Sequence, residues 1–236
     1  MRIDKSYFFK GDGMVLMSES YKRWSAYAPP KVVQRGFSLI EISIVTTIIM
    51  LIAILGIPAI QSYVIESKVP RVAEELQRFV ARMKATTQGF GVAPYAGIDT
   101  GVLANALRAS SVVLVSGVGS GARVLHGLGA SSSGKGGVQL EPYAMPGGQS
   151  GTAFTLTLRD VNQAACPGLA AILQRIAEQV TIAGTSGPVV VKNAMMEPVM
   201  SYNPLLADAQ CAAGDNNVFT VVVRSWFRML LRLTVA

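Results

Sequence analysis

An α+β fold, in which one long N-terminal hydrophobic helix packs on an antiparallel β-sheet domain, is what this sequence predicts, and three patterns predict it. An uncharged and mostly apolar run extends from Ile42 to Ile65, which meets the length of about 20 residues that a spanning helix needs. Beyond it, Val72, Leu76, Phe79, Val80 and Met83 recur at helical spacing, so the second half of the helix carries one apolar face and should pack on a sheet. Later runs at Val138–Leu140, Ala153–Leu158, Pro188–Lys192 and Val218–Val223 read as strands, the second and last alternating with β-branched or aromatic residues. A helix followed by such strands gives a layered α+β domain with an antiparallel sheet.

The elements follow in order. Residues 1–36 lack the continuous apolar stretch of an ordinary secretory signal and end in polar, basic sequence instead of a small-residue cleavage site; Met14 and Met17 are alternative starts to Met1. The long helix is expected from about Phe37 to Gln88, its Ile42 to Ile65 part transmembrane. Gly56 and Pro58 loosen its middle, Pro70 should kink it again, and Gly89-Phe90-Gly91 should end it. Lys22, Arg23, Lys31 and Arg35 precede the apolar segment, a bias that puts the leader in the cytoplasm and the rest of the chain outside. Asp99 can cap a short helix through Leu103, Ala106 and Leu107, after which the Gly- and Ser-rich chain to Gly137 reads as loop. Cys166-Pro167-Gly168 opens a segment with Leu169, Ile172, Leu173, Ile176 and Val180 on one face, read as a helix of about four turns. Asp215-Asn216-Asn217 marks a turn before the last strand. The expected organisation is therefore a leader over 1–36, a helix over 37–88, a globular domain over 89–225 and a basic apolar tail over 226–236. Arg224, Arg228 and Arg232 recur there among Trp226, Phe227 and Leu230, a pattern that fits a frayed extension or a contact with a membrane or partner.

Of the 236 residues 50% are hydrophobic and 15% charged, which suits one membrane segment plus one domain of ordinary size. The formal charge is +7, but residues 1–36 hold seven Lys/Arg against three Asp/Glu, leaving fourteen against eleven, or +3, after Gly36. So small a basic excess gives little support to nucleic-acid binding. Cys166 and Cys211 are the only cysteines and lie in the part expected to be exported, where oxidation is the rule. A disulfide is the first reading. Zinc is the rival, short of a ligand with one histidine and no Cys-x-x-Cys spacing.

The stretch Gln34-Arg35-Gly36-Phe37-Ser38-Leu39-Ile40-Glu41 places one carboxylate at the start of the apolar run, where a charge is costly and calls for a partner. These residues resemble the class III signal of type IV pilins and pseudopilins. The resemblance implies that a prepilin peptidase cuts between Gly36 and Phe37 and that Phe37 is then N-methylated. It also makes Glu41 the fifth residue of the mature chain, with Pro58 at the usual kink position and Tyr63 at the familiar offset. Cleavage would leave a positive amine on Phe37, four residues before Glu41, and in an apolar setting a carboxylate gains far more from pairing than in water. In the family this glutamate pairs with the terminal amine of a neighbouring subunit; the bland reading is an interfacial carboxylate that reaches the headgroups. The order of long helix, loop, strands, cysteine-started helix and late cysteine is most similar to type IVb pilins, as is the long leader, while Phe37 at the cut is more usual in the type IVa group.

The resemblance implies a structural subunit, not an enzyme, that polymerises through its N-terminal helix into a surface fibre serving adhesion, aggregation or conjugation. The partners it implies are other pilin subunits, the prepilin peptidase, an assembly ATPase and an inner-membrane platform protein, with no cofactor. The subunit would sit in the inner membrane before assembly and in the extracellular pilus after. A minor pilin or type II secretion pseudopilin is the alternative, and a membrane-tethered enzyme or binding protein the more distant one. Two glycine motifs bear on that last reading. Gly117-Val118-Gly119-Ser120-Gly121-Ala122 imitates a dinucleotide fingerprint, but Gly127 and Gly129 follow too soon for the helix it needs, and a loop is the better reading. Gly129 to Lys135 copies P-loop spacing with Gly136 where Ser or Thr belongs and no strand before it. His126, the sole histidine, reads as a surface or loop residue, and Met195, Met196 and Met200 near Pro198 as adaptable packing against the sheet. Neither makes a catalytic or metal constellation.

Overall fold

Helix α1 spans Leu39–Thr86 in the computed structural model, which describes residues 36–88, 91–129 and 136–224. The chain divides into two compact units, one ending at Thr46 and one beginning at Thr47. Of the first unit, Gly36 to Thr46 are described: three residues without regular secondary structure lead into α1, and the Ile42 amide donates to the Ser38 carbonyl at 3.2 Å. The helix passes through Pro58 and Pro70 without a break.

In the second unit α1 is followed by α2 (Thr100–Leu107), β1 (Leu114–Ser116), β2 (Arg123–Leu125), β3 (Gly137–Ala144) and β4 (Ser150–Val161). Then come α3 (Cys166–Leu173), β5 (Gln179–Gly184), β6 (Gly187–Asn193), α4 (Pro204–Gln210) and β7 (Asn217–Arg224). Among the described residues the strands form one seven-stranded sheet in the order β1-β2-β3-β4-β7-β5-β6, with every neighbouring pair antiparallel. The last strand thus lies in the middle. Phe219 stands opposite Leu158 on β4 and Ile182 on β5, and these side chains, with Leu156 and Val221, are buried.

One face of this sheet is covered by the second half of α1. Val72, Leu76, Phe79 and Val80 are buried and Met83 packs against them, as their spacing predicts. The Phe79 ring meets Phe154 of β4 edge to face at 6.4 Å, and Tyr95 meets it at 4.9 Å, arrangements that add to the area they bury. Asp99 caps α2 as expected, its carboxylate accepting the Val102 amide at 2.9 Å.

Three expectations are corrected. The Gly- and Ser-rich stretch before Gly137 is not all loop: β1 and β2 form a hairpin joined to β3 through Val124↔Val138. Strands of three residues leave no periodic signal among glycines. The helix opened by Cys166 stops at Leu173, and Val180 belongs to β5, where it stands opposite Val221. Its helical spacing from Ile176 coincides with a strand alternation, Val180 and Ile182 both facing the core. Third, Met196 and Met200 are exposed rather than packed on the sheet, in a connection where the Glu197–Pro198 peptide is cis.

Candidate functional site

Two parts of the chain bear on function, and each is built from local chemistry. The first is the apolar half of α1. Phe37 is 77% exposed, and Leu39, Ile48, Leu55 and Ile60 are exposed like it. The hydroxyl of Ser43 donates to the Ile40 carbonyl at 3.0 Å and that of Thr46 to the Ile42 carbonyl at 2.9 Å, which lets polar side chains sit in an apolar helix without an unmet donor. Glu41 lies exposed in the first turn, the end at which a helix dipole favours a carboxylate. The change of environment falls at Ile65: Val64 is exposed, whereas Ile65 is 6% exposed and Val69 is buried. α1 is long and apolar enough to cross a membrane, and among the described residues it is the only helix that is.

The second part is the region closed by the cysteines. Cys166 starts α3 and Cys211 caps the end of α4, and the two are joined in a disulfide with Cα atoms 5.9 Å apart, 45 residues separated in sequence. The enclosed segment carries α3, β5, β6 and α4. α3 lies against α1, since a Cβ at Gly168 would be 3.5 Å from the Val69 side chain and Gln77 donates to the Ile172 carbonyl at 3.4 Å. Asn203 caps α4 by accepting the Leu206 amide at 3.0 Å, with Pro204 as the first helical residue.

Asn217 ties this region to the sheet. Fully buried, it donates to the carbonyls of Val161 and Ala212, both at 3.0 Å, and accepts the Ala212 amide at 2.7 Å. The strand β5 passes so close that a Cβ on Gly184 would lie 2.0 Å from the Gln210 carbonyl oxygen, so no larger residue fits there. Sequence reasoning took Asn217 only as part of a turn; the signal for more was its place at the first strand position, where a polar residue enters the core.

At the other end of β7, Arg224 lies 3.5 Å from Glu178, and Lys192 donates to the carbonyls of Gln174 and, at 2.9 Å, Ala177. Lys192 thereby satisfies carbonyls just beyond α3 and favours the helix stopping there. Burial lowers the pKa of Lys192 and of Lys84, with Glu178 opposing in both cases.

His126 is not on the surface. It is buried after β2, with both ring nitrogens engaged. Gly117 to Ala122 form the β1–β2 connection, a single 3-10 turn followed by a strand, so the helix a pyrophosphate needs is not there. Met1 to Arg35, most of the Gly129–Lys135 stretch and the Arg228 and Arg232 tail lie outside the described residues.

The class of fold is thus a long helix, apolar in its first half, on an antiparallel sheet with a disulfide-closed region beside it. The family model described as PilS N terminal matches residues 70–224, well over half of the chain, and the chain belongs to that family, within the type IV pilins, which are structural subunits and not enzymes. Among solved structures it is similar to the type IV b pilin from Salmonella typhi, at 19% identity and TM-score 0.42 over 66% of this chain and 97% of that one. It is also similar to TcpA, a type IV pilin from Vibrio cholerae El Tor biotype, at 12% identity and TM-score 0.44 over 66% of this chain and 98% of that one. No curated protein matches it.

Proposed function

We propose that the chain is the precursor of a type IVb pilus subunit: cut between Gly36 and Phe37, N-methylated on Phe37, held in the inner membrane by Ile42 to Ile65 and then polymerised through α1. The observation that carries this reading is the junction itself. A glycine followed by Phe37 and, four residues on, by Glu41 stands at the head of a helix whose large apolar side chains, among the described residues, are exposed as far as Val64. Leaving each large apolar side chain in water forfeits about 1.5 to 3 kcal/mol relative to burying it, so that surface belongs first in a bilayer and then against like helices. Assembly is then a transfer between two apolar environments.

Glu41 is the polar group of that transfer, pairing with the methylated amine of a neighbouring subunit. The leader, residues 1–36, stays cytoplasmic, and the domain from residue 89 onward covers the fibre surface. The partners are other copies of the subunit, a prepilin peptidase, an assembly ATPase and an inner-membrane platform protein. The fibre serves adhesion, aggregation or conjugation. The Glu41→Val variant tests this: it should be processed and membrane-bound yet yield at least about a hundredfold fewer sheared fibres, because a hydrocarbon side chain cannot meet the amine. Normal fibres from that variant would refute the pairing.

A further inference from the structure

His126 is the only histidine of the chain and is fully buried beside the end of the sheet. Its Nδ1 accepts the Leu128 amide at 2.9 Å, and its Nε2 lies 2.8 Å from the Arg159 carbonyl oxygen. An amide only donates and a carbonyl only accepts, so the ring is neutral with its proton on Nε2. Around it, the His126 amide donates to the Gly136 carbonyl at 3.0 Å, the Gly136 amide to Asp160 Oδ2 at 3.1 Å, and the Asn162 amide to the Leu128 carbonyl at 3.0 Å. Gly136, at φ +91°, leaves space for the ring: a Cβ there would be 3.2 Å from Cε1. The charged groups facing the ring are Asp160, at φ 59° in the irregular end of β4, and Asp215, which accepts from the Asn162 amide nitrogen of its side chain at 2.7 Å. Arg159 presents its carbonyl, while its Nε donates to Gln139 at 3.2 Å on the exposed side.

We propose that His126, with Asp160 and Asp215 beside it, is an acid-sensitive latch that fastens the residues on either side of the β2–β3 connection to β4 and releases them when Nδ1 takes up a proton. The proton turns Nδ1 from an acceptor into a donor facing the Leu128 amide, so two donors meet where a hydrogen bond stood; the Nε2 bond to Arg159 survives. Burial holds the ring's pKa below its ordinary 6.5, outweighing the Arg159 carbonyl, Asp160 and Asp215, which favour the charged form. A folded pKa below the unfolded one means that the fastened state binds fewer protons. The fastening is complete above the ordinary histidine value and is lost as pH falls from there toward the folded value.

Because there is one histidine, its ring signals in an NMR spectrum need no assignment. The experiment follows ring protonation and amide exchange at Leu128 and Gly136, corrected for intrinsic rates, from about pH 7.5 to 5 in the full-length protein in detergent micelles, beside His126→Asn. Asparagine keeps an acceptor but does not titrate. Protection in the native protein should fall by up to about tenfold per pH unit below the ordinary histidine value, level off only where the native ring itself takes up a proton, and stay level throughout in His126→Asn. Unchanged protection in the native protein, or an equal fall in the variant, overturns the latch. If His126→Asn does not fold, the native protein decides: protection that falls below the ordinary histidine value and levels off as the ring protonates at lower pH supports the latch, and protection that stays level over that range, or a ring that protonates at or above the ordinary value, overturns it.

Discussion

Asn217 shows how much one buried amide does in this protein. Its three hydrogen bonds to Val161 and Ala212 join the end of the disulfide region to two central strands. Asn217→Ala leaves two carbonyls and an amide without their partner, the Val161 carbonyl fully buried and the Ala212 groups half-buried, and each buried loss costs about 1 to 3 kcal/mol. We expect guanidinium unfolding of the detergent-solubilised protein to show a loss of about 3 kcal/mol or more; a loss under about 1 kcal/mol would mean that the site opens to water and re-satisfies itself. At this scale the sequence was only partly legible. Asp99 as a cap and the apolar face at Val72, Leu76, Phe79 and Val80 could be read because capping and helical spacing are local rules. His126 could not, because its partner Arg159 is distant in sequence and set by strand register, and Asn217 offered only its place at the first strand position, its partner Val161 being likewise distant.

Among the elements, the region between the cysteines is the one that a covalent bond holds. It carries two short helices and the β5–β6 hairpin, and α3, of eight residues, is too short to be stable alone. Closing a loop of 45-residue separation contributes about 4 kcal/mol on the chain-entropy account. Replacing both cysteines by serine should lower stability by that order, with faster amide exchange across α3, β5 and α4 than across β3 and β4. A double variant as stable as the native protein would contradict this role. The pairing was legible because only two cysteines exist, and α4 could have been read from Asn203-Pro204, a cap followed by a first-turn proline. β5 was hidden by coincidence: Ile176 and Val180 fit a helical face although a turn, held by the Ile176 amide donating to the Leu173 carbonyl at 3.1 Å, separates α3 from the strand.

For the molecule as a whole, class was legible and topology was not. The apolar run, the amphipathic continuation and the late strands predict a helix laid on an antiparallel sheet, and that is the fold. Nothing in the sequence says that β7 enters between β4 and β5, because strand order is decided by contacts that only the closed core makes. The central claim concerns the other end of the chain, where Gly36 meets Phe37 and the apolar helix begins. Mass spectrometry of the N-terminus, on protein recovered separately from membranes and from sheared surface fibres, tests it most directly. The account predicts fibres whose subunits begin at an N-methylated Phe37; an uncut chain, or a mature Phe37 found in membranes and never in fibres, would contradict it.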